Sequence, residues 1–378
     1  ECGEKETRYV ICGATNFNVG DIIVAALPGA VLPGDFQIAA RETYGKTSNG
    51  MICSARELGI GEDHSGIMVF AEGDVEIGSD AISALEINDV IFDIAVNPDR
   101  GYALSIRGIA REIAGSLALK FTDPVDALRG LQFAETGKGV TAKIADKETA
   151  SVFYLRTLSD FDPSAKVPIW MRRRIEKMGM RSISLVVDIT NYVMLELGQP
   201  LHAFDKSKIS GGLTIKRAGK AQKFITLDGQ ERNLDPDDLM VCDDKQPLAL
   251  AGTMGGLSSE ITDTTTDIAL EAVRFDPVCV AKNSRRHKLS SEASRRLERS
   301  VDPSLAEFAS ARFVQLLTAH SSARHVATSV DGEPRYSPVI TLDPAYIPRL
   351  LGFDIAWPEI ADYQRIIGCD VDEKSFKV

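Results

Sequence analysis

Apolar residues change their spacing several times along this chain, and each change marks a different kind of element. Residues 8–75 read as short strands, RYVICGAT, DIIVAALPGAVLPGDFQIAA, GMICSA and SGIMVF, with glycine and proline recurring between them. That punctuation predicts a small barrel or sandwich. VIFDIAVNPDRGYALS predicts a strand followed by a proline-containing turn. ALSIRGIAREIAGSLAL then places Ile106, Ile109, Ile113 and Leu117 on one helical face. Residues 122–140 read as a linker, and WMRRRIEKMGM as a short basic helix. The stretch RSISLVVDITNYVMLELGQPLHAFD (181–205) predicts a strand-like apolar run that ends in a compact polar set. LTIKRA, KFITLDGQERNL and DLMVCDD predict strands, with Asp228-Gly229 as a hairpin turn. PLALAGTMGGLSSEIT predicts a glycine-rich loop and TDIALEAVRFDP a further strand. PSLAEFASARFVQLLTAH predicts a helix with Leu305, Phe308, Phe313, Leu316 and Leu317 facing inward. From about residue 339 the pattern restarts, with a strand in VITLD and helices in PAYIPRLLG and PEIADYQRIIG.

Length turns this pattern into a multidomain expectation. A single core rarely grows past roughly 250–300 residues, so 378 residues predict two to four domains. The chain is 44% apolar and 26% charged, as in ordinary soluble globular proteins. It shows no apolar run of membrane-spanning length and no signal peptide, so the cytoplasm is the natural compartment. No two of the six cysteines have metal-knuckle spacing. A net charge of −11 argues against a surface devoted wholly to nucleic acid, but leaves room for a local basic strip. The chain begins on Glu1 and stops in what reads as a strand, which predicts part of a larger polypeptide.

Several local patterns carry candidate chemistry. ARETYGKT (40–47) matches a loose phosphate-loop pattern, but Glu42 and Tyr44 crowd the loop and a strand pattern follows it. A phosphate cradle needs small residues and a helix N-terminus, so a chance match is the better reading. His320 and His325 lie five apart, a spacing that does not put two imidazoles on one helical face, so no metal pair is predicted. Two basic clusters stand out: Arg172, Arg173, Arg174, Lys177 and Arg181 in one, and Arg285, Arg286, Lys288, Arg295, Arg296 and Arg299 in the other. The second alone reads as a solvated helix capped at Ser290 or Ser291, with a Glu292–Arg296 pair. The two clusters flanking one polar pocket predict an anionic ligand with a long backbone. His202 alone reads as a satisfied structural histidine. Glu271 sits between apolar neighbours, and a buried carboxylate needs a partner.

In order along the chain, VVDITNYVMLELGQPLHAFD, LALAGTMGG, IALEAVRFDP and SSEASRRLERSVDP resemble the editing module of bacterial phenylalanyl-tRNA synthetase beta subunits. Residues 10–68 are similar to the OB-type tRNA-binding domain of that family. NPDRGYALSIRGIARE resembles the segment after it, and residues 339–378 the start of a further module. The resemblance implies an α+β multidomain fold. A partial OB-type β-barrel would occupy residues 1–88, a connecting α/β segment 89–135, a mixed α/β editing domain 136–337, and the start of a small α/β module 338–378. It implies an α2β2 heterotetramer with an alpha subunit, binding of tRNA(Phe), and hydrolysis of tyrosine wrongly attached to that tRNA. ATP and Mg would serve amino-acid activation on the alpha subunit, with no cofactor or metal held by this segment.

Carried over by position, the implied editing residues are Thr190, Asn191, His202 and Glu271, with Gly252, Ser291 and Ala293 binding substrate. Arg172, Arg173, Arg174, Arg285, Arg286 and Arg295 are the implied tRNA contacts. Glu271 would accept the tyrosine phenol O–H, and a bond to a charged acceptor is worth roughly 1.5–3 kcal/mol. His202 or Asn191 would orient water or the terminal ribose. Two other readings stand beside this one: a free-standing deacylase that edits mischarged tRNA in trans, and a non-catalytic tRNA-binding scaffold. Convergence of Glu271 and His202 on one cavity separates the scaffold from the editing readings.

Overall fold

The structure is a computed structural model describing residues 1–61, 64–70, 73–334 and 339–378. The chain divides into two compact units, residues 1–94 with 165–188 and residues 95–164 with 189–378. The second unit holds residues from three of the segments expected from the sequence. The basic helix Ile169–Lys177, expected within the editing domain, belongs to the first unit. The expected boundary at 337–338 lies outside the described residues.

In the first unit, short strands pair two by two: Ala25–Ala26 with Met51–Ile52, Val31–Leu32 with Phe36–Gln37, and Arg41–Thr43 with Lys46–Ser48. Strand pairing is present in DIIVAALPGAVLPGDFQIAA and GMICSA, but RYVICGAT forms no strand, SGIMVF makes only the isolated bridge Ile23–Val69, and among the described residues no closed barrel forms. The core gathers Val24, Ala26, Ile38, Cys53, Met68, Phe70, Leu85 and Ile169. Ile169 opens the basic helix, which explains why that helix packs here. Its Arg173 is buried, and its guanidinium donates to the carbonyls of Leu85 and Ile60 at 3.0 and 3.1 Å and to Glu176 at 2.9 Å. A cation in such a place satisfies backbone acceptors that have no water.

In the second unit, a four-stranded antiparallel sheet runs in the order Arg324–Gly332, Ala150–Ser159, Ile268–Phe275, His202–Asp205. The helix Leu305–His320 covers one face, where Val152, Ala272 and Ala306 cluster and Arg156 Nε donates to Ser310 Oγ at 2.8 Å. Side chains alternate across a strand, so Glu271, next to Ala272, points away from that helix. A five-stranded sheet, Met254–Gly255, Pro247–Leu250, Leu239–Cys242, Leu213–Arg217 and Ala142–Ile144, reaches the Glu271 side of the first sheet. At one end Val140, Ala142 and Ile144 donate backbone N–H groups to Thr157, Ser329 and Asp331. At the other end Gly255 lies against His202.

Several expected elements differ; VITLD, for one, holds only an isolated bridge at Thr341. The run after Ser184 is a helix, Leu185–Leu197, and not a strand. An apolar run buried on nearly all sides loses its periodicity, and its thirteen residues exceed an ordinary strand. The helix stops at Gly198 with Pro200 just beyond, and the polar set then spreads over helix, connection and strand. VIFDIAV forms no strand; Val90, Ile91 and Phe92 are exposed. The helix Ile106–Ser116 forms as the spacing predicts, with Ile106 and Ile113 exposed.

Replacing Arg173 by Met would keep the apolar stem and strand its acceptors, so we expect thermal unfolding to show a loss of about 1.5–3 kcal/mol. Arg174→Met, on an exposed side chain stacked over Trp170, should stay within about 0.5 kcal/mol.

Candidate functional site

Glu271 is a carboxyl group in the middle of an otherwise apolar strand, IALEAVRF. It is 6% exposed, and its Oε2 is buried with no hydrogen-bond partner. Strand register sets its neighbours: Leu155 lies opposite on one side and His202 on the other. Directly opposed residues of an antiparallel pair have Cβ atoms about 4.5–5.5 Å apart and share a face. The pairing therefore brings together the two groups that spacing alone could not connect. His202 also meets the ring of Phe204 edge-on, with centroids 4.4 Å apart.

Burial decides the protonation of both groups. Desolvation pushes the Glu271 carboxyl up to about 8 and the His202 imidazole down to about 4. Near pH 7 the site holds a neutral acid facing a neutral imidazole. This corrects the expectation of a charged acceptor at Glu271: no cation compensates the buried carboxyl, so it keeps its proton.

The glycine-rich segment is a hairpin rather than a loop, with strands Pro247–Leu250 and Met254–Gly255. Gly252 makes the turn at φ +64°, and a Cβ there would press on Val280, Leu297 and Phe275. Its role is thus to let the hairpin turn against those side chains. The residue next to the chemistry is Gly255, where a Cβ would come within 2.6 Å of His202 Nε2. Sequence reasoning stopped at Gly252; the second glycine pair in GTMGG was the available signal. Ser291 Oγ donates to the Thr253 carbonyl at 2.8 Å and accepts from Ser294 N at 3.0 Å, capping the helix Glu292–Leu297. Ala293 is half-buried in that helix.

The remaining polar residues of 181–205 separate into roles. Gln199 Nε2 donates to the Val273 carbonyl at 3.1 Å, tying the connection before His202 to the Glu271 strand. Asp205 accepts from Ser207 N at 3.0 Å and from Thr265 Oγ1 at 2.9 Å. Both are structural. Thr190 is buried and Asn191 half-buried, adjacent on the helix Leu185–Leu197, whose Glu196 pairs with Arg312 at 2.9 Å.

The basic residues divide similarly. Arg172, Arg173 and Arg174 lie in the first unit and Arg285, Arg286 and Arg295 in the second. Arg172 is half-buried, and Arg173 is held by carbonyls as described above. Arg286 is bonded to Asp238, a fully buried carboxylate that also meets His287 Nε2 at 2.7 Å. Arg296 is buried on the Leu104 carbonyl and Glu292. Arg174, Arg285 and Arg295 are exposed. Among the described residues, no group of three or more His, Cys, Asp or Glu side chains could hold a metal, and no helix is long and apolar enough to cross a membrane.

Comparison with known proteins finds two domain matches and several close relatives. Residues 149–322 match the B3/4 domain and residues 1–80 a putative tRNA binding domain. The chain is 50% identical over 98% of its length to the phenylalanine–tRNA ligase beta subunit of Streptomyces avermitilis, and 49% identical over 98% to that of Thermobifida fusca. It spans 44% of each of those relatives. A solved N-terminal fragment of the phenylalanyl-tRNA synthetase beta subunit from Pyrococcus horikoshii aligns over 74% of this chain and 76% of its own. Its identity of 13% and TM-score of 0.34 are too low to carry an argument.

The two protonation shifts have opposite signs in stability. Glu271 holds its proton to about pH 8 when folded and to 4.5 as a free group, so it lowers stability as pH rises between those values. His202 resists protonation to about pH 4, against 6.5 when free, so it lowers stability as pH falls between those values. Denaturant unfolding of Glu271→Gln should therefore show a gain over the native chain that grows from pH 4.5 to 8, on the order of a few kcal/mol at its plateau. A gain independent of pH would contradict the buried neutral acid.

Proposed function

We infer, from a chain that corresponds over nearly its whole length to part of bacterial phenylalanine–tRNA ligase beta subunits, that it binds tRNA and hydrolyses tyrosine wrongly attached to tRNA(Phe). Residues 1–88 would be an OB-type tRNA-binding module, 89–135 a connection, 136–337 the editing domain and 338–378 the start of a further module. The observation that carries the reading is the register-fixed opposition of His202 and Glu271, with a buried carboxyl oxygen free of any partner. A scaffold that only binds RNA has no use for such a pair, since an unsatisfied buried polar group costs about 1–3 kcal/mol.

A neutral carboxylic acid offers both a donor and an acceptor. The tyrosine phenol also has both, so the two groups make a matched pair. Phenylalanine presents only C–H there and leaves the carboxyl unsatisfied. A site built around such a bond rejects the analogue lacking it, as an editing step must do with the correct product. An imidazole held down to about 4 is a poor proton acceptor near pH 7. His202 therefore orients the attacking water or the terminal ribose by hydrogen bonding, and the lability of the aminoacyl ester supplies the rest. Asn191 and Thr190 border this site on our reading. Gly252, Ser291 and Ala293 shape its far wall, Ser291 through the Thr253 carbonyl.

The whole enzyme would pair this subunit with an alpha subunit as α2β2 in the cytoplasm and use ATP and Mg for activation. The residues here do not fit those groups: the ARETYGKT segment is a hairpin with no following helix, and no acidic cluster stands ready for a cation among the described residues. No step of the editing reaction passes through them. Arg174, Arg285 and Arg295 are exposed and stay tRNA-contact candidates, whereas Arg173 is held by backbone carbonyls and Arg286 by Asp238.

Single-turnover deacylation of tyrosine- and phenylalanine-charged tRNA(Phe) tests the reading. Glu271→Ala should reduce the preference for the tyrosine ester by roughly 5- to 150-fold, the equivalent of an unsatisfied buried polar group. Glu271→Gln, which keeps a neutral donor and acceptor, should lose less than about tenfold. His202→Ala should slow hydrolysis while the chain stays folded. Native preference in Glu271→Ala together with a native rate in His202→Ala would remove both residues from the reaction.

A further inference from the structure

The hairpin Arg41–Thr43/Lys46–Ser48 is joined by Tyr44 and Gly45, with Thr43 opposite Lys46. Both loop residues have positive φ, +52° and +73°, the sign pattern of a type I′ turn. Such a turn favours Asn, Asp or Gly at its first central position. A bulky aromatic there is strained, and nothing in the fold repays it, because Tyr44 is 94% exposed.

The cross-strand register sorts the other side chains. Arg41, Thr43, Lys46 and Ser48 share one face, and Glu42 and Thr47 the other. On the first face the Arg41 guanidinium lies 5.2 Å from the centre of the Phe36 ring, and Lys46 Nζ lies 5.6 Å from that of Tyr9. Phe36 and Tyr9 are themselves exposed. A concavity of about 130 Å³ opens beside them, lined by Arg41, Thr43 and Ser48 over Ile11, Ile38 and Met51. In a chain of net charge −11, one face thus combines cations, the aromatic rings beneath them and a small apolar floor.

We propose that this hairpin face binds an unpaired stretch of tRNA, with Tyr44 stacking on an unstacked base and Arg41 and Lys46 contacting the flanking phosphates. Aromatic platforms beside cations are how single strands are held, because every base has a π-face and every nucleotide a phosphate. Tyr44 lies at the tip of the hairpin, almost fully exposed. The proposal rests on the tRNA-binding reading of this unit and names the surface that does the binding.

The test is equilibrium binding of an unmodified tRNA(Phe) transcript and of a blunt RNA duplex to the full chain over a series of salt concentrations. Tyr44→Gly should weaken tRNA binding about 5- to 150-fold, with the salt slope unchanged and duplex binding unaffected. Its thermal midpoint should stay level or rise, since glycine occupies the left-handed turn without strain, so misfolding cannot imitate the result. Tyr44→Phe should bind tRNA within about threefold of the native chain. Arg41→Ala and Lys46→Ala should each reduce the salt slope by about one phosphate contact. Native tRNA affinity in Tyr44→Gly, or equal weakening for tRNA and duplex, would overturn the stacking surface. Failure of the native chain to bind tRNA at all would instead overturn the tRNA-binding reading.

Discussion

A carboxyl group sealed among apolar strands must stay protonated or find a partner, and in this chain it stays protonated. Glu271 occupies a central strand, and its Oε2 is buried with no hydrogen-bond partner. The strand beside it supplies His202, itself stripped of water and therefore neutral. A carboxyl that would be charged in solution faces an imidazole with neither group charged. What the site can recognise follows from that: a ligand that both donates and accepts a hydrogen bond fits, and an ion does not.

Much of the surrounding architecture keeps this pair in place. Gln199 fastens the entry to the His202 strand onto the neighbouring strand, and Asp205 fastens its exit to Thr265. The hairpin carrying Gly255 lies on the imidazole, and Ser291 ties that hairpin to the helix Glu292–Leu297 through the Thr253 carbonyl. The buried Arg296 in turn holds this helix to the Leu104 carbonyl. Several residues that looked like ligand contacts thus serve as supports through the hydrogen bonds they make.

The same distinction applies to the basic residues. Arginine serves two ends in this chain: satisfying backbone carbonyls where water is excluded, as Arg173 does, and lying exposed, as Arg285 does. Spacing along the chain does not tell these apart. Partners in the fold do: Arg286 is exposed and is still bonded to the buried Asp238.

The amino-acid sequence by itself determined the kinds of elements and their order wherever periodicity was clean: the helix over Leu305–His320, the Asp228-Gly229 hairpin, the strand around Glu271 and the paired short strands of the first unit. The family resemblance, rather than any local spacing, named His202 and Glu271. Periodicity misread 185–197, because a helix buried nearly all round has no polar face to mark its period, and it carried the VIFDIAV run into a strand that has no pairing partner. Tertiary structure alone decided which candidates meet. Strand register put His202 opposite Glu271, close backbone approach made Gly255 the glycine beside the imidazole, and burial set the protonation of both groups. These are properties of neighbours distant in sequence, so no local pattern could carry them.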